Sequence, residues 1–478
     1  MTRHRTPMSA VDKAWLRMET SANPMMIGIV LIFDSPIPMG AFRHLLEERF
    51  LKYRRFRQKV VVDGERAWWE DDPYFDLDNH LHQIALPGNA DKAALQHLAS
   101  DFNSSPLDLN KPLWQIHYID RYEGGCALMV RIHHCIADGI SLVRVLLSLT
   151  DENPQTKVTP MHKARPSLPV PGHRLTRHFR RWQNNLDMAR EQAGRVVNRA
   201  WKDPGYLLKL GKTGLDVSLE CLRLGLMPSD PPTPLKGELC GRKRVAWAEP
   251  LSMAEVKETA KALGGTVNDV LMATATGALR DYLHQAGEEI PPNGIRVAVP
   301  FNLRPLRQPI ETLGNQFGLV LVPLPVDLVS PLARFHQVQQ EMNRLKRSSQ
   351  AQITYSLLDI FGRGPDLLER RALELLSQKA SAVMTNVPGP RKPLYLAGCR
   401  LVQPMFWVPQ TGGVGVGLSI FSYHDTVQFG LISDKRLIDC PDDVVAGFVE
   451  NFEKLRQLAI QEDPTPNVKP LFKPLNIA

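Results

Sequence analysis

The sequence predicts an α/β protein of two domains, in which mixed sheets are flanked by helices. Its 478 residues are too many for one ordinary core, since a domain typically holds about 100–200 residues. Short apolar segments typical of buried strands alternate with segments of helical periodicity in both halves of the chain. Two proline-rich stretches, 160–171 and 228–234, separate the halves, because proline lacks a backbone donor and ends regular structure.

These boundaries divide the chain into three parts. We expect an N-terminal domain over 1–160, a basic helical linker over 161–235 and a C-terminal domain over 236–478. Predicted strands cover 25–33, 126–134, 295–299, 319–326, 414–421 and 426–432. Predicted helices cover 41–51, 91–102, 139–149, 255–263, 267–283, 368–379 and 445–460.

Composition indicates a globular protein of a reducing compartment. Hydrophobic residues make up 43% and charged residues 23% of the chain, which is ordinary for a soluble domain. The longest apolar run near the N-terminus, 25–33, is far shorter than the ~18–20 residues that span a bilayer, and no signal-peptide pattern precedes it. The six cysteines show no CxxC spacing, so a disulfide framework or a cysteine zinc site is not expected.

The net charge of +8 predicts an anionic partner. Residues 163–223 contain thirteen Lys or Arg and five Asp or Glu, so this segment carries the whole excess. It is interpreted either as a solvated helix or as a surface helix for anionic lipid, with Trp182 and Trp201 at the interface. Nucleic acid is not expected, because no nucleic-acid-binding motif accompanies the charge.

The chemistry is predicted to lie where the strand 126–134 ends. Side chains alternate along a strand, so His134 shares a face with Leu128 and Ile132, while His133 shares the opposite face with Met129. His134 therefore lies on the apolar face, where a buried base would sit. Histidine suits general base catalysis because its ordinary pKa, about 6.5, is close to working pH.

Other interpretations of this stretch remain open. A His-His pair can be structural, and Asp138 can simply cap a helix that starts at Gly139. A metal site would need better ligand geometry than two opposed histidines and one aspartate provide. Cys135 is a poor candidate nucleophile for His134, because adjacent side chains of an extended chain point apart.

His133-His134-x-x-x-Asp138-Gly139 is similar to the HHxxxDG signature of the bacterial and plant wax ester synthase/diacylglycerol acyltransferase family, within the chloramphenicol acetyltransferase-like superfamily. Further segments resemble that family in order along nearly the whole chain. They are Asp12, 23–26 (with Met26 where histidine is usual), Pro112-Leu113-Trp114, Asn268-Asp269, 299–304, 313–316 and 385–390.

The resemblance implies two chloramphenicol acetyltransferase-like domains with a catalytic channel between them. It implies an acyl-CoA-dependent O-acyltransferase that esterifies a long-chain alcohol or diacylglycerol by direct transfer, giving wax esters or triacylglycerols. No cofactor or metal is expected, and acyl-CoA is a substrate. The catalytic group would be His134 as base, with His133, Asp138, Gly139 and Asn268.

Supporting roles follow from the same resemblance. Arg304 is the candidate ion-pair partner of Asp138, which would be structural. Asn268 is either a helix N-cap, with Asp269 favouring the helix dipole, or a donor near the reacting carbonyl. The motif Pro112-Leu113-Trp114 is either structural or part of the acyl-pocket wall.

Gly413, Gly415 and Gly417 alternate with apolar residues. On a strand this spacing leaves one face without side chains, which predicts either close packing or the wall of a groove for an acyl chain.

Two rival functions differ in class. One is a related acyltransferase with another donor or alcohol, such as a condensing enzyme. The other is a non-catalytic lipid-binding protein at a membrane surface. The expected location is the cytoplasm, with peripheral contact to the inner membrane or to lipid bodies. The choice between fatty alcohol and diacylglycerol stays open.

Overall fold

The computed structural model describes residues 5–154, 223–303, 313–346, 348–363 and 366–462. Most of the predicted basic linker, residues 161–222, lies outside the described residues. The strands are β1 Arg5–Pro7, β2 Met26–Phe33, β3 Gln58–Asp63, β4 Arg66–Asp71, β5 Leu81–Ile84, β6 Trp114–Tyr122, β7 Gly125–His133, β8 Lys243–Trp247, β9 Leu251–Ser252, β10 Ile295–Asn302, β11 Phe317–Leu324, β12 Ala382–Pro388, β13 Tyr395–Leu396, β14 Cys399–Trp407, β15 Val416–Tyr423 and β16 Thr426–Asp434.

The helices follow the same alternation along the chain. They are α1 Ala10–Arg17, α2 Met39–Leu45, α3 Lys92–Ser104, α4 Gly139–Leu149, α5 Met253–Ala262, α6 Val267–Gln285, α7 Pro331–Leu345, α8 Gln350–Arg363, α9 Asp366–Ser377 and α10 Pro441–Glu462. A π-helical turn, Leu46–Phe50, follows α2 directly. None of the described helices has both the length and the apolar character needed to cross a bilayer.

The first large sheet has the strand order β13-β14-β2-β7-β6-β5. Its central strand, β7, is buried along its whole length, which explains why it is apolar on both faces. β14 pairs antiparallel with β2, from Leu401 opposite Phe33 to Trp407 opposite Gly28. The division at residue 236 assigned 399–407 to the C-terminal domain, whereas the structure adds this strand to the N-terminal sheet.

The second large sheet has the order β11-β10-β12-β15-β16-β8, and β9 pairs with β16. β12 runs parallel to both β10 and β15, and the other pairs are antiparallel, so the sheet is mixed. Apolar side chains of α6 and α10, such as Val270 and Phe448, form one core with those of the sheet, such as Phe429. The predicted mixed sheets flanked by helices are confirmed.

The two large sheets also share apolar contacts with each other. One buried cluster joins Val30 and Met129 of the first sheet to Trp247 and Ile432 of the second through Trp407. A three-stranded sheet, β1-β4-β3, lies outside both. Because the cores are shared, the halves are joined by packing as well as by the chain.

A buried polar cluster ties the N-terminal opening to the second half. Lys243 Nζ donates to Asn23 Oδ1 at 2.7 Å and lies 3.9 Å from Asp434 Oδ2. Asn23 Nδ2 in turn donates to the Gly412 carbonyl at 3.0 Å. Asp434 is fully buried and accepts the backbone N–H of Gly241 at 2.9 Å. The cluster therefore satisfies two buried charges with partners from both halves.

This cluster predicts a pH dependence of stability. Burial lowers the pKa of Lys243 to about 8, although the charge of Asp434 opposes the shift. Between about pH 8 and pH 10 the unfolded lysine keeps a proton that the folded one has lost, so stability should rise with pH across this window. We expect Lys243→Met to flatten this rise in denaturant-unfolding free energy, while Lys261→Met, an exposed lysine of α5, keeps it. An equal rise in both variants would contradict the assignment.

Candidate active site

The predicted site lies where the central strand β7 ends against both of its neighbours. The backbone N–H of His133 donates to the Leu113 carbonyl at 3.0 Å, and that of His134 donates to the Met25 carbonyl at 2.7 Å. The chain then turns, with Ile136 N–H donating to the His133 carbonyl at 3.0 Å, and α4 begins at Gly139. Both histidines are thus fixed at the backbone by the strands beside them.

His134 lies in an aromatic setting. Its side chain is only 5% exposed, and its ring stacks on Trp15 with centroids 4.1 Å apart and an interplanar angle of 19°. Phe317 of β11 lies 5.6 Å away at a tilt of 53°. Nδ1 is buried and has no hydrogen-bond partner among the described residues. The ring is therefore held by contacts with both halves of the chain.

The protonation state of His134 follows from this burial. Desolvation lowers its pKa to about 4, although the negative charge of Asp138 opposes the shift. Near neutral pH the imidazole is uncharged and can accept a proton. His134 is therefore unprotonated near neutral pH, as a general base must be.

His133 points to a different set of partners, as the alternation along the strand predicts. Its Nε2 lies 3.1 Å from Glu19 Oε2, and its Nδ1 accepts the N–H of Cys135 at 3.1 Å. Since Nδ1 accepts, a neutral ring carries its proton on Nε2, facing Glu19. Burial raises the pKa of Glu19, but the hydrogen bond and charge of His133 and the N–H of Met25 outweigh it, so the pKa is lowered. His133 thus has the contacts of a positioning residue.

Asp138 acts as the N-cap of α4. Its Oδ1 accepts the Ser141 N–H at 2.8 Å and the Ser141 hydroxyl at 2.6 Å. Its Oδ2 accepts the N–H of Gln316, from the second half, at 3.0 Å. The helix-cap interpretation is confirmed. Arg304, the candidate ion-pair partner, lies outside the described residues.

Asn315 joins three elements at the site. Its Nδ2 donates to the His134 carbonyl at 2.8 Å and to Asp12 Oδ1 at 2.9 Å. Its backbone N–H donates to the same Asp12 oxygen at 3.1 Å. No role was predicted for Asn315, Trp15 or Glu19. The i, i+3 spacing of Asp12 and Trp15 on one short helix is the pattern that could have suggested a shared target.

Two family models match this chain. The wax ester synthase/diacylglycerol acyltransferase catalytic domain matches residues 8–271, and the WS/DGAT C-terminal domain matches residues 313–456. The chain belongs to the wax ester synthase/diacylglycerol acyltransferase family. The recognition made from the motifs is confirmed, and the chain is an acyltransferase.

A mycobacterial relative agrees with this membership, and two solved structures share the fold. A probable diacylglycerol O-acyltransferase of Mycobacterium tuberculosis is 27% identical over 443 residues, which cover 89% of this chain and 90% of that protein. The solved wax ester synthase/diacylglycerol acyltransferase of Marinobacter aquaeolei VT8 has a TM-score of 0.66 at 23% identity, covering 95% of this chain and 100% of that one. A starter condensation domain of rhizomide synthetase, solved with C8-CoA, has a TM-score of 0.57 at 13% identity, covering 95% and 94%. The predicted two-domain chloramphenicol acetyltransferase-like fold is confirmed.

Asn268 of this acyltransferase is not the helix cap that one interpretation proposed. Thr266 caps α6 and forms a capping box with Asp269, whose Oδ2 accepts the Thr266 N–H at 2.9 Å. Asn268 Oδ1 instead accepts Asn386 Nδ2 of β12 at 2.6 Å. The segment 385–390, which resembles the family, belongs mostly to β12. The next residue on that strand, Val387, lies 3.8 Å from where a Cβ of Gly139 would be, so β12 connects Asn268 to the start of α4.

The motif Pro112-Leu113-Trp114 is structural in this family member. Leu113 and Trp114 are fully buried, and Trp114 Nε1 donates to the Phe56 carbonyl at 2.8 Å. The indole stacks on His80 with centroids 4.5 Å apart. These contacts enclose the tryptophan in the core, as the structural alternative predicts. The motif contributes to the site through the Leu113 carbonyl, which accepts a hydrogen bond from the His133 N–H.

The structure contradicts the groove interpretation of the glycines at Gly415 and Gly417. Only Gly417 lies in β15, because the strand begins at Val416. A Cβ at Gly417 would lie 2.6 Å from Gln410 Nε2, and one at Gly413 would lie 3.4 Å from the Gly237 carbonyl oxygen. A Cβ at Gly415 would lie 2.6 Å from side-chain carbons of both Leu239 and Leu437. Protein therefore covers Gly415 and Gly417, as the close-packing alternative predicts, whereas Gly413 is exposed.

Close packing predicts that Gly415→Leu reduces stability rather than acyl chain length. Inserting a side chain into a filled site typically costs about 1–3 kcal/mol. We expect a lower midpoint of denaturant unfolding and, in the folded fraction, an unchanged preference among C8 to C18 acyl-CoA donors. Gly40→Leu is the matched control, since no atom lies within 4 Å of a Cβ there. A stable Gly415→Leu variant that prefers shorter acyl-CoA donors than wild type would support the groove interpretation instead.

Proposed function

We propose that this chain transfers a fatty acyl group from acyl-CoA to a long-chain alcohol or diacylglycerol, with His134 as the general base. The observation that carries the proposal is the setting of His134: a neutral, buried imidazole on a turn held by β2, α1 and the loop 313–316. A base fixed in this way can receive a proton from a hydroxyl bound beside it, which typically contributes about 10²–10⁴-fold in rate.

The reaction is a direct transfer. His134 takes the hydroxyl proton as the alcohol oxygen attacks the thioester carbonyl, and the tetrahedral intermediate expels CoA thiolate. The imidazolium then returns the proton to the thiolate, so the base is regenerated and free CoA thiol leaves. No cofactor is required, because the acyl group is already activated as a thioester.

Cys135 provides no competing covalent route. It is fully buried, and burial raises the pKa of its thiol well above the ordinary value, although Arg55 opposes this. The thiol therefore stays protonated at neutral pH, and a protonated thiol is a poor nucleophile. Its backbone N–H has a different use, because it holds the ring of His133.

The substrate classes are supported by the names of similar proteins. The mycobacterial relative is named for diacylglycerol, and the Marinobacter structure is named for both wax esters and diacylglycerol. The similar condensation domain was solved with C8-CoA, a fatty acyl-CoA. We propose a fatty acyl-CoA as donor, and both kinds of acceptor as substrates.

We also propose that the protein works in the cytoplasm with peripheral contact to an anionic membrane or lipid body. The basic segment 163–223 supplies the positive charge, and the products are too apolar to leave an interface readily. Co-sedimentation with phosphatidylglycerol vesicles that weakens with salt is the expected result. Equal binding to neutral phosphatidylcholine vesicles would contradict the electrostatic contact.

The test of the proposed function is CoA thiol release from palmitoyl-CoA by the purified protein. Hexadecanol and dioleoylglycerol are offered separately, beside a reaction without acceptor, and the ester products are quantified. We expect release that depends on the acceptor, with one ester formed per thiol. If CoA thiol is released at the same rate with and without an acceptor, the protein is a hydrolase. Lipid binding without any release would favour the non-catalytic rival, and turnover only with a carrier-protein thioester would favour a condensing enzyme.

A further inference from the structure

α1 holds the proposed base at two points. Asp12 and Trp15 are three residues apart, so they lie on the same side of the helix. Asp12 binds Asn315, which donates to the His134 carbonyl, and Trp15 covers the His134 ring. One face of α1 therefore fixes both the backbone and the imidazole of His134.

Trp15 is held in place by its ring contacts. The side chain is only 6% exposed, and Nε1 is buried with no acceptor among the described residues. Its ring lies 5.5 Å from Phe317 and 4.1 Å from His134. Of the two aromatic rings beside His134, only Trp15 is stacked in parallel, and Phe317 is tilted.

The stacked indole can affect the reaction most at the step in which His134 becomes an imidazolium cation. Removing a proton from the acceptor creates an imidazolium in a site from which water is excluded, and burial disfavours that charge. The titratable groups around the turn are Asp138 and His133. Asp12 lies behind Asn315, Glu19 lies beyond His133, and Arg55 acts on Asp12. Asp138 is the charged group that favours the cation directly, the Asn315 side chain also favours it, and both Asp138 oxygens already accept hydrogen bonds.

We propose that Trp15 stabilises the imidazolium form of His134 during catalysis by presenting its indole face to the charge. An aromatic face carries negative electrostatic potential and attracts cations, most strongly for tryptophan and more strongly when water is excluded. Trp15 is thus a positioning residue that acts through the base. This inference rests on the proposed role of His134.

The first test compares substitutions of Trp15. Loss of the aromatic face in Trp15→Leu or Trp15→Met should lower kcat by about twentyfold, with KM for both substrates nearly unchanged. Trp15→Phe keeps an aromatic face without the N–H and should lose less than about fivefold. Equal loss in the Phe and Leu variants overturns the proposal, because the face would then not be what matters.

The second test varies the acidity of the acceptor. Fluorine acidifies a neighbouring hydroxyl, so 2,2-difluorohexadecan-1-ol needs less help from a base than hexadecan-1-ol does. We expect the defect of Trp15→Leu or Trp15→Met to shrink to less than about fivefold with the fluorinated alcohol. A defect of the same size with both alcohols overturns the proposal, because loss of shape alone does not depend on acceptor acidity.

Two controls separate the possible failures. Trp247→Leu removes an equally buried tryptophan from the cluster between the sheets, and its defect should be the same with both alcohols. His134→Ala tests the proposed function itself: retained turnover in that variant would overturn the base and the inference together. An inactive His134→Ala beside a Trp15→Leu that is fully active overturns the role of Trp15 alone.

Discussion

Replacing His134 by alanine is expected to lower kcat for ester formation by about 10²–10⁴-fold, the usual contribution of a positioned base. The structure explains why no other group takes over. His133 faces Glu19 on the other side of the turn, and the Asp138 carboxylate is occupied by Ser141 and Gln316. Initial rates at saturating palmitoyl-CoA and hexadecanol measure the loss. Since the pKa of His134 is about 4, wild-type kcat should stay flat as pH falls from neutrality towards that value.

His80→Ala is the matched control for this prediction. His80 is also buried, its ring stacks on Trp114, and burial lowers its pKa, so its removal leaves a similar cavity. Its ring contacts Trp114 and Phe75 and does not stack on His134. We expect His80→Ala to reduce stability while kcat of the folded protein stays within a few-fold of wild type. Equal loss of kcat in the two variants would mean that the His134 effect is structural.

Replacing Asp138 by alanine is expected to reduce both stability and turnover. The variant loses the cap of α4, worth about 1 kcal/mol, and the hydrogen bond from the Gln316 N–H to a charged carboxylate, worth about 1.5–3 kcal/mol. We therefore expect about 2–4 kcal/mol less unfolding free energy. Turnover should fall more than tenfold, because the turn loses its tie to the second half and His134 loses the charge that favours its protonated form. Denaturant unfolding and initial rates provide the two measurements.

Asp138→Asn separates the two effects. The amide oxygen can still cap α4, whereas the charge is lost, so stability should recover more than turnover does. Asp91→Ala supplies the reference for a cap alone, since Asp91 caps α3 on the surface through the Ala94 N–H at 2.9 Å. Stability losses of equal size at Asp91 and Asp138, with unchanged turnover, would show that Asp138 is no more than a helix cap.

Local periodicity was sufficient to predict the elements that carry the motif. The helix predicted over 139–149 is α4, and the strand predicted over 126–134 is β7, one residue shifted. The opposite orientation of His133 and His134 followed from the alternation of side chains along that strand. These features depend only on neighbours along the chain, which a single sequence contains.

Contacts between distant segments could not be derived in the same way. Alternating apolar residues in 399–407 show that a strand is buried on a face, but they do not name β2 as its partner. Asn315 and Trp15 reach His134 from 181 and 119 positions away. The glycine spacing predicted a strand face without side chains, but it could not predict that Leu239 and Leu437 pack against that face at Gly415. Thr266 is different, since its Thr-x-x-Asp spacing before an apolar helix was readable as a capping box and was missed.

The pairing of β14 with β2 determines how this chain can be divided. A fragment that ends at residue 154 would lack the strand that covers β2, and would expose an open sheet edge of apolar residues. Its counterpart would carry β14 paired only with the two-residue strand β13, without β2. Cutting the backbone between 154 and 223 therefore yields two pieces that complement each other but are not autonomous. A chimera that exchanges either half with another acyltransferase of the family must therefore exchange the paired strands β2 and β14 together.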